Sequence, residues 1–250
     1  DSYGKTVLFD AIEGGNLSIL KDVINNVDSL NILDENHQTV LFKAVLREDM
    51  TLAQTLIVNG ININFLDKDG QNVLFNTILQ GSKNIPLLAL LLKKGINLNI
   101  VDNNNKTIID ELLHIHELQK NNPKNLEGKY KIISPEKDYL SLALLFIENG
   151  LDIDEIHADG KTSLQKELDN KNFTNVEFLI DCGADINVCD ENNKNIIYKE
   201  VMKGYSNYKM IDFLILKGAN LEARDFDEKT VIDDIVEIIA IQKNFKTTNS

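Results

Sequence analysis

One phrase returns in phase along this chain, and that periodicity constrains the fold more than any other feature. Asp1-Ser-Tyr-Gly-Lys-Thr-Val-Leu-Phe9 recurs as Asp34-Glu-Asn-His-Gln-Thr-Val-Leu-Phe42 and as Asp67-Lys-Asp-Gly-Gln-Asn-Val-Leu-Phe75. Degenerate copies begin at Asp102, His157, Asp190 and Asp225, so the steps are 33, 33, 35, 55, 33 and 35 residues. Self-similarity at such a period marks an array of stacked supersecondary units. No single unit buries its own apolar face, so stacking supplies the core.

The rest of each unit has matching punctuation. Gly60, Gly95, Gly150, Gly183 and Gly218 fall where a second apolar helix should end, in the left-handed conformation that glycine adopts without penalty. Gly4, His37, Gly70, Asn105, Gly160 and Asn193 occupy a phrase position that reads as a turn of positive φ, where Asn or His replaces Gly. Glu228 breaks that pattern. The Thr or Asn two residues later (Thr6, Thr39, Asn72, Thr107, Thr162, Asn195, Thr230) is placed to cap a first helix. Apolar pairs such as Leu56-Ile57, Leu91-Leu92, Phe146-Ile147, Leu179-Ile180 and Leu214-Ile215 predict the core face of the second helix.

A 33-residue unit with this phrase resembles the ankyrin repeat, and the resemblance covers essentially the whole chain. It implies an all-α solenoid of helix-turn-helix pairs with short β-hairpin loops. The expected organisation is a single domain, 1–250. Its units are 1–33, 34–66, 67–101, 102–156, 157–189 and 190–224, then a cap, 225–243, and a tail, 244–250. The unit from Asp102 carries 22 extra residues, about 117–138, polar at the centre and holding two prolines, which predicts a surface loop with longer flanking helices. The sequence also departs from the family. Its Pro after the Thr is missing, its His becomes Phe9, Phe42 and Phe75, and its small Ala is kept only as Ala11 and Ala44. Thr77, Leu112, Glu167 and Glu200 follow at the Ala position, so packing in the second half is expected to be looser or adjusted.

Composition narrows the function classes. The formal charge of −13 argues against nucleic acid, which needs a basic stripe to displace counterions, and against an anionic membrane surface. No apolar run approaches the roughly 18 residues that span a bilayer, and no signal peptide is read at the start. Two cysteines, Cys182 and Cys189, make no disulfide framework, so a reducing, cytoplasmic setting is the default expectation.

Candidate chemistry is thin. His114, His116 and Glu111 cluster beside the insert, but residues two apart on a helix face different ways, and a zinc site needs further ligands. Cys182 and Cys189 have no adjacent His to activate them. Glu167 and Glu200 stack one repeat apart, without a nucleophile or oxyanion hole nearby. With Asp110, Glu111 and Asp233 they could instead form an acidic stripe that recognises a basic partner. Lys5, Lys106, Lys161, Lys194 and Lys229 form a ladder that acidic residues on the same hairpins neutralise. No catalytic residue, metal or cofactor is assigned.

The resemblance implies a protein-binding module or scaffold, expected as a monomer, that grips another protein with hairpin tips and its concave face. The positions it points to are Ser2, Tyr3, Lys5, Glu13, Glu35, Asn36, Gln38, Leu46, Arg47, Lys68, Asp69, Gln71, Leu79, Gln80, Met202 and Lys203. Tyr3, Leu46, Arg47, Leu79 and Met202 are the expected anchors, because large apolar residues and Arg dominate interfaces when they lie at a desolvated centre. Two other settings stay open on sequence alone: a secreted microbial effector engaging host proteins, and the targeting portion of a larger enzyme.

Overall fold

The computed structural model describes residues 7–15, 17–79, 85–121, 139–204, 207–237 and 239. Ser2, Tyr3, Lys5, Gln80, the centre of the insert and the tail therefore lie outside the described residues. The chain divides into two compact units, Asp1–Ile153 and Asp154–Ser250, and each is described by itself.

Unit 1 holds four antiparallel helix pairs: α1 (Val7–Glu13) with α2 (Leu17–Asn26), α3 (Val40–Leu46) with α4 (Met50–Val58), α5 (Val73–Leu79) with α6 (Ile85–Lys93), and α7 (Ile108–Asn121) with α8 (Tyr139–Glu148). The α7 helix has 14 residues against seven in α1, α3 and α5, as the insert flank predicts. Unit 2 holds α9 (Ser163–Asp169) with α10 (Phe173–Asp181) and α11 (Ile196–Met202) with α12 (Tyr208–Leu216), followed by helical residues 231–237. Among the described residues there is no strand, only a lone antiparallel bridge between Cys189 and Asn195.

The phrase builds a turn around its first residue. The Asp34 Oδ1 accepts the N–H groups of Asn36 and Gln38 at 2.8 and 3.0 Å, and the Asp34 N–H closes onto the Gln38 carbonyl. Asp67, Asp102, Asp190 and Asp225 repeat the pattern. A carboxylate here mimics a backbone turn by bonding amides two and four residues on. Where His157 takes its place, the ring Nε2 pairs with Ser163 Oγ at 3.0 Å, and Asp159 accepts the Lys161 N–H. His37, Gly70, Asn105, Gly160 and Asn193 all have positive φ as expected. Glu228 has it too, at φ 60°, so the last hairpin keeps the backbone that its side chain disfavours.

These carboxylates make the fold acid-sensitive. Burial pushes Asp102 and Asp190 upward. The Gln71 amide and the N–H groups of Lys106 and Asn104 outweigh it at Asp102, and the N–H groups of Lys194 and Asn192 with the Lys199 ammonium outweigh it at Asp190. Asp225 is held low chiefly by the Lys229 N–H. All three therefore bind a proton less readily folded than unfolded. Their stabilisation is complete above the ordinary Asp value of about 3.9 and is lost as pH falls through the lower folded values. Urea midpoints are expected to hold above about pH 5 and to fall steeply between about pH 4 and 2; a midpoint that rises in that window would contradict the turn geometry.

Stacking is stitched by amides as well as by apolar burial. In unit 1 the side-chain Oδ1 atoms of Asn31 and Asn64 accept the backbone N–H of Asn62 and Asn97 at 2.8 and 2.7 Å, and Asn99 Nδ2 donates to the Gly150 backbone carbonyl. Gln38 and Gln71 donate to Asp67 and Asp102 of the following hairpins. Where Asn replaces the capping Thr, its spare amide ties the start of the first helix to the segment after the second helix of the same repeat: Asn72 to Asn97 O, and Asn195 to Asn220 O. The capping role itself is explicit at Thr162, which forms a reciprocal capping box with Gln165.

At the start of α8, Tyr139 is buried, and among the described residues its hydroxyl meets no partner. Burial pushes its phenol up to about 12. An unsatisfied buried hydroxyl costs about 1–3 kcal/mol, so Tyr139→Phe is expected to raise stability by roughly 1 kcal/mol. A loss on that substitution, measured by urea unfolding, would mean that the hydroxyl has a partner.

Candidate interaction surface

In unit 1 successive hairpins are tied edge to edge. The Lys68 N–H donates to Asn36 O at 3.0 Å, and the Asn103 N–H donates to Asp69 O at 2.9 Å. Side chains reinforce both steps: Lys68 Nζ reaches Asn36 Oδ1, and Asn103 Nδ2 reaches Lys68 O, each at 2.9 Å. Gly70 allows the close approach, since a Cβ there would lie 2.8 Å from Asn103 Oδ1.

On this stacked edge the residue just before each phrase Asp is apolar. Leu33 is half-buried, Leu66 is 44% exposed and Val101 is 46% exposed. Sequence reading missed this row because it took the phrase to begin at the Asp. The signal was present one position earlier, in every unit through Ile156. Beside the row stand Glu35, Lys68, Asp69 and Lys106, all exposed.

The sequence-predicted positions fare unevenly. Leu46 is exposed, at 47%, at the end of α3. Leu79 is not available: it is 2% exposed and packs in the α5 core, which corrects its reading as an exposed anchor. The chain reaches that position with helical phase still pointing inward. Arg47 donates through Nη1 to the Ile12 carbonyl at 2.8 Å and approaches Glu13 O, so it caps the end of α1 across the repeat boundary. Gln38 and Gln71 are spent on the hairpin ladder, while Asn36 and Asp69 sit at the tips. In unit 2, Met202 is 43% exposed, and Lys203 pairs with Glu200 and Asp169.

The acidic stripe does not form as expected. Glu111 is buried, while Asp110 and Asp233 fold back onto Thr107 and Thr230 as helix caps. Glu200 is 3% exposed and accepts from Lys203 and from Asn207 Nδ2. Glu167 accepts from Asn175 Nδ2 at 3.0 Å. A carboxylate in place of the small Ala is thus met by a polar partner from its own repeat, which is how the irregular half adjusts its packing. Cys182 is pushed up to about 12 by burial and then by the Asp181 carboxylate, so its thiol stays protonated and inert at neutral pH.

The lysines of unit 2 are also engaged. Lys161 pairs with Asp169, Lys166 with Asp159, Lys199 with Asp190, and Lys194 with Asp225 and Asp234. An apolar groove at the start of unit 1, lined by Val7, Ile19, Val23 and Val27, has counterparts in Val40, Leu52 and Leu56 that a preceding repeat buries.

The architecture has close likenesses. The ankyrin repeat domain of Bcl-3, a unique member of the IkappaB protein family, superposes with a TM-score of 0.60 at 19% identity, over 94% of this chain and 99% of that one. The fold is the ankyrin-repeat fold. The human ASB11 ankyrin repeat domain is similar at a TM-score of 0.50 and 21% identity, over 92% of this chain and 91% of that domain. As a sequence, the chain matches no protein-family model and no curated protein. No helix among the described residues is long and apolar enough to cross a membrane.

Proposed function

We propose that this ankyrin-repeat chain is a protein-binding module and that unit 1 takes an extended segment of its partner along the row Leu33, Leu66 and Val101. Ankyrin repeat domains in general bind proteins, which is the coarse support. The observation that carries the finer reading is an apolar side chain at the same position of consecutive, hydrogen-bonded hairpins, half-buried at Leu33 and exposed at Leu66 and Val101. Packed helices of successive repeats lie about 8–10 Å apart. A polyproline II segment returns the same face every three residues, about 9 Å. A partner segment with an apolar side chain at every third position therefore matches the row. A flat β-strand matches less well, because residues three apart point to opposite faces.

Charge sets the intervening residues. Glu35 and Asp69 stand beside the row with Lys68 and Lys106, so the local charges balance, and it is the −13 carried by the chain overall that favours Lys or Arg at the spacer positions. A stiff, preformed surface binds with little ordering cost of its own. Selection from a displayed peptide library, with counter-selection on a Leu66→Asp/Val101→Asp variant, is expected to return Pro- and Lys-containing segments of threefold apolar period. Recovery of the same peptides by both proteins would place the contact elsewhere.

A further inference from the structure

Two segments outside the proposed surface carry latent chemistry. Asn59-Gly60 and Asn149-Gly150 are the two Asn-Gly pairs of the chain, each at the end of a second helix in unit 1. In a flexible chain an Asn followed by Gly is the pair most prone to cyclise, because no side chain hinders the attacking nitrogen. The Gly60 nitrogen, once deprotonated, adds to the Asn59 side-chain amide carbon. A C–N bond closes the five-membered succinimide and ammonia leaves. Water then opens either ring carbonyl, giving aspartate or isoaspartate.

The fold blocks each requirement of that reaction. The nitrogen must swing to the same side of the Cα–C bond as Cβ, more than a right angle from the ψ of 11° that Asn59 holds as the residue capping α4. The Gly60 N–H is held by Ile57 O at 3.2 Å, and the Asn59 amide is held by Thr55 O at 2.7 Å, back along the helix. Asn149 repeats the arrangement, with Gly150 N–H on Ile147 O at 3.1 Å and the Asn149 amide on Leu145 O at 2.8 Å. Gly60 at φ 86° and Gly150 at φ 99° keep both ends closed in the left-handed turn. Both Asn residues are solvent-exposed, so water and base reach them and conformation alone protects them.

We propose that Asn59 and Asn149 are conformationally gated modification sites, converted to aspartate or isoaspartate only from a state in which the end of the second helix has opened. Conversion then bars reclosing. Isoaspartate inserts the Cβ carbon into the main chain, so the Gly N–H no longer reaches its carbonyl. Either product also places a carboxylate at the negative end of the helix and removes the amide donor to Thr55 O or Leu145 O. At Asn149 the damage extends to the next bond in the stack, because Gly150 O accepts Asn99 Nδ2 at 3.1 Å. Each site thus becomes an irreversible record of local opening, in a fold whose repeats open with different free energies.

The test uses the whole chain at mildly alkaline pH, folded in buffer and unfolded in urea, with conversion at each site quantified by peptide mass mapping and an isoaspartate assay. Both sites are expected to convert about tenfold or more slowly when folded, the ratio that a modest opening equilibrium imposes. Converted protein returned to buffer is expected to have lost hydrogen-exchange protection at the Gly60–Ile61 and Gly150–Leu151 amides. Equal rates in buffer and urea, or unchanged protection after conversion, would overturn the proposal.

Discussion

Phe42→Ala is expected to cost about 3–5 kcal/mol, the range for removing a fully buried aromatic side chain, and to lower the urea midpoint more than any surface change. Phe42 is 1% exposed in α3 and lies between Phe9 and Phe75 at the same position of neighbouring repeats, both also buried. The ankyrin family carries His here. In this chain a buried phenylalanine holds that position in three successive repeats, so helix one is anchored there by apolar burial. Truncating the middle ring leaves a cavity that helices on both sides share. Because a repeat array is stabilised by nearest-neighbour contacts, the loss weakens two interfaces at once. Phe42→Leu keeps most of the volume and is expected to cost less than about half as much. A Phe42→Ala cost under about 1 kcal/mol would mean that this stack is not the core of unit 1.

The second large effect separates two glycines of identical backbone. Gly70 and Gly160 occupy the same phrase position, at φ 78° and 75°. Any side chain there meets the left-handed penalty of about 1–2 kcal/mol. At Gly160 a Cβ meets nothing within 4 Å. At Gly70 it would stand 2.8 Å from Asn103 Oδ1 and 3.1 Å from Asn103 N. Asn103 must then withdraw, losing its bonds to Asp69 O and Lys68 O. Gly70→Ala is therefore expected to cost about 2–4 kcal/mol, the left-handed penalty plus up to two hydrogen bonds of about 1 kcal/mol each, against about 1–2 kcal/mol, the penalty alone, for Gly160→Ala. Equal losses in thermal or urea unfolding would mean that the hairpins of unit 1 are not packed edge to edge.

Much of this architecture is readable in the sequence because repetition multiplies weak signals. A single Thr before a helix is an ambiguous cap, but Thr or Asn in phase with a positive-φ residue two places earlier marks the helix start, even at Thr39, which holds the position without a side-chain capping bond. The same phase placed Gly60, Gly95, Gly150, Gly183 and Gly218 at helix ends, and all have positive φ. Side-chain destination was harder to read. Leu46 and Leu79 hold equivalent positions in consecutive units, one exposed and one buried. Arg47, Gln38 and Gln71 look like free surface donors in one dimension, and the neighbouring repeat consumes them. The exposed row at Leu66 and Val101 went unread for a related reason. It lies at the seam between units, where a period defined on the Asp phrase assigns residues to the end of one repeat and not to the face of the next hairpin.

The most direct measurement is a titration of the whole chain with one fluorescent peptide, apolar at every third position with Pro and Lys between, followed by anisotropy. Wild type is expected to bind it and to discriminate against a scrambled sequence. Leu66→Asp/Val101→Asp, at unchanged urea stability, is expected to weaken binding at least about a hundredfold, as the loss of two central apolar contacts predicts. Equal affinity of wild type and variant, or of the peptide and its scramble, would contradict a binding surface built on that row.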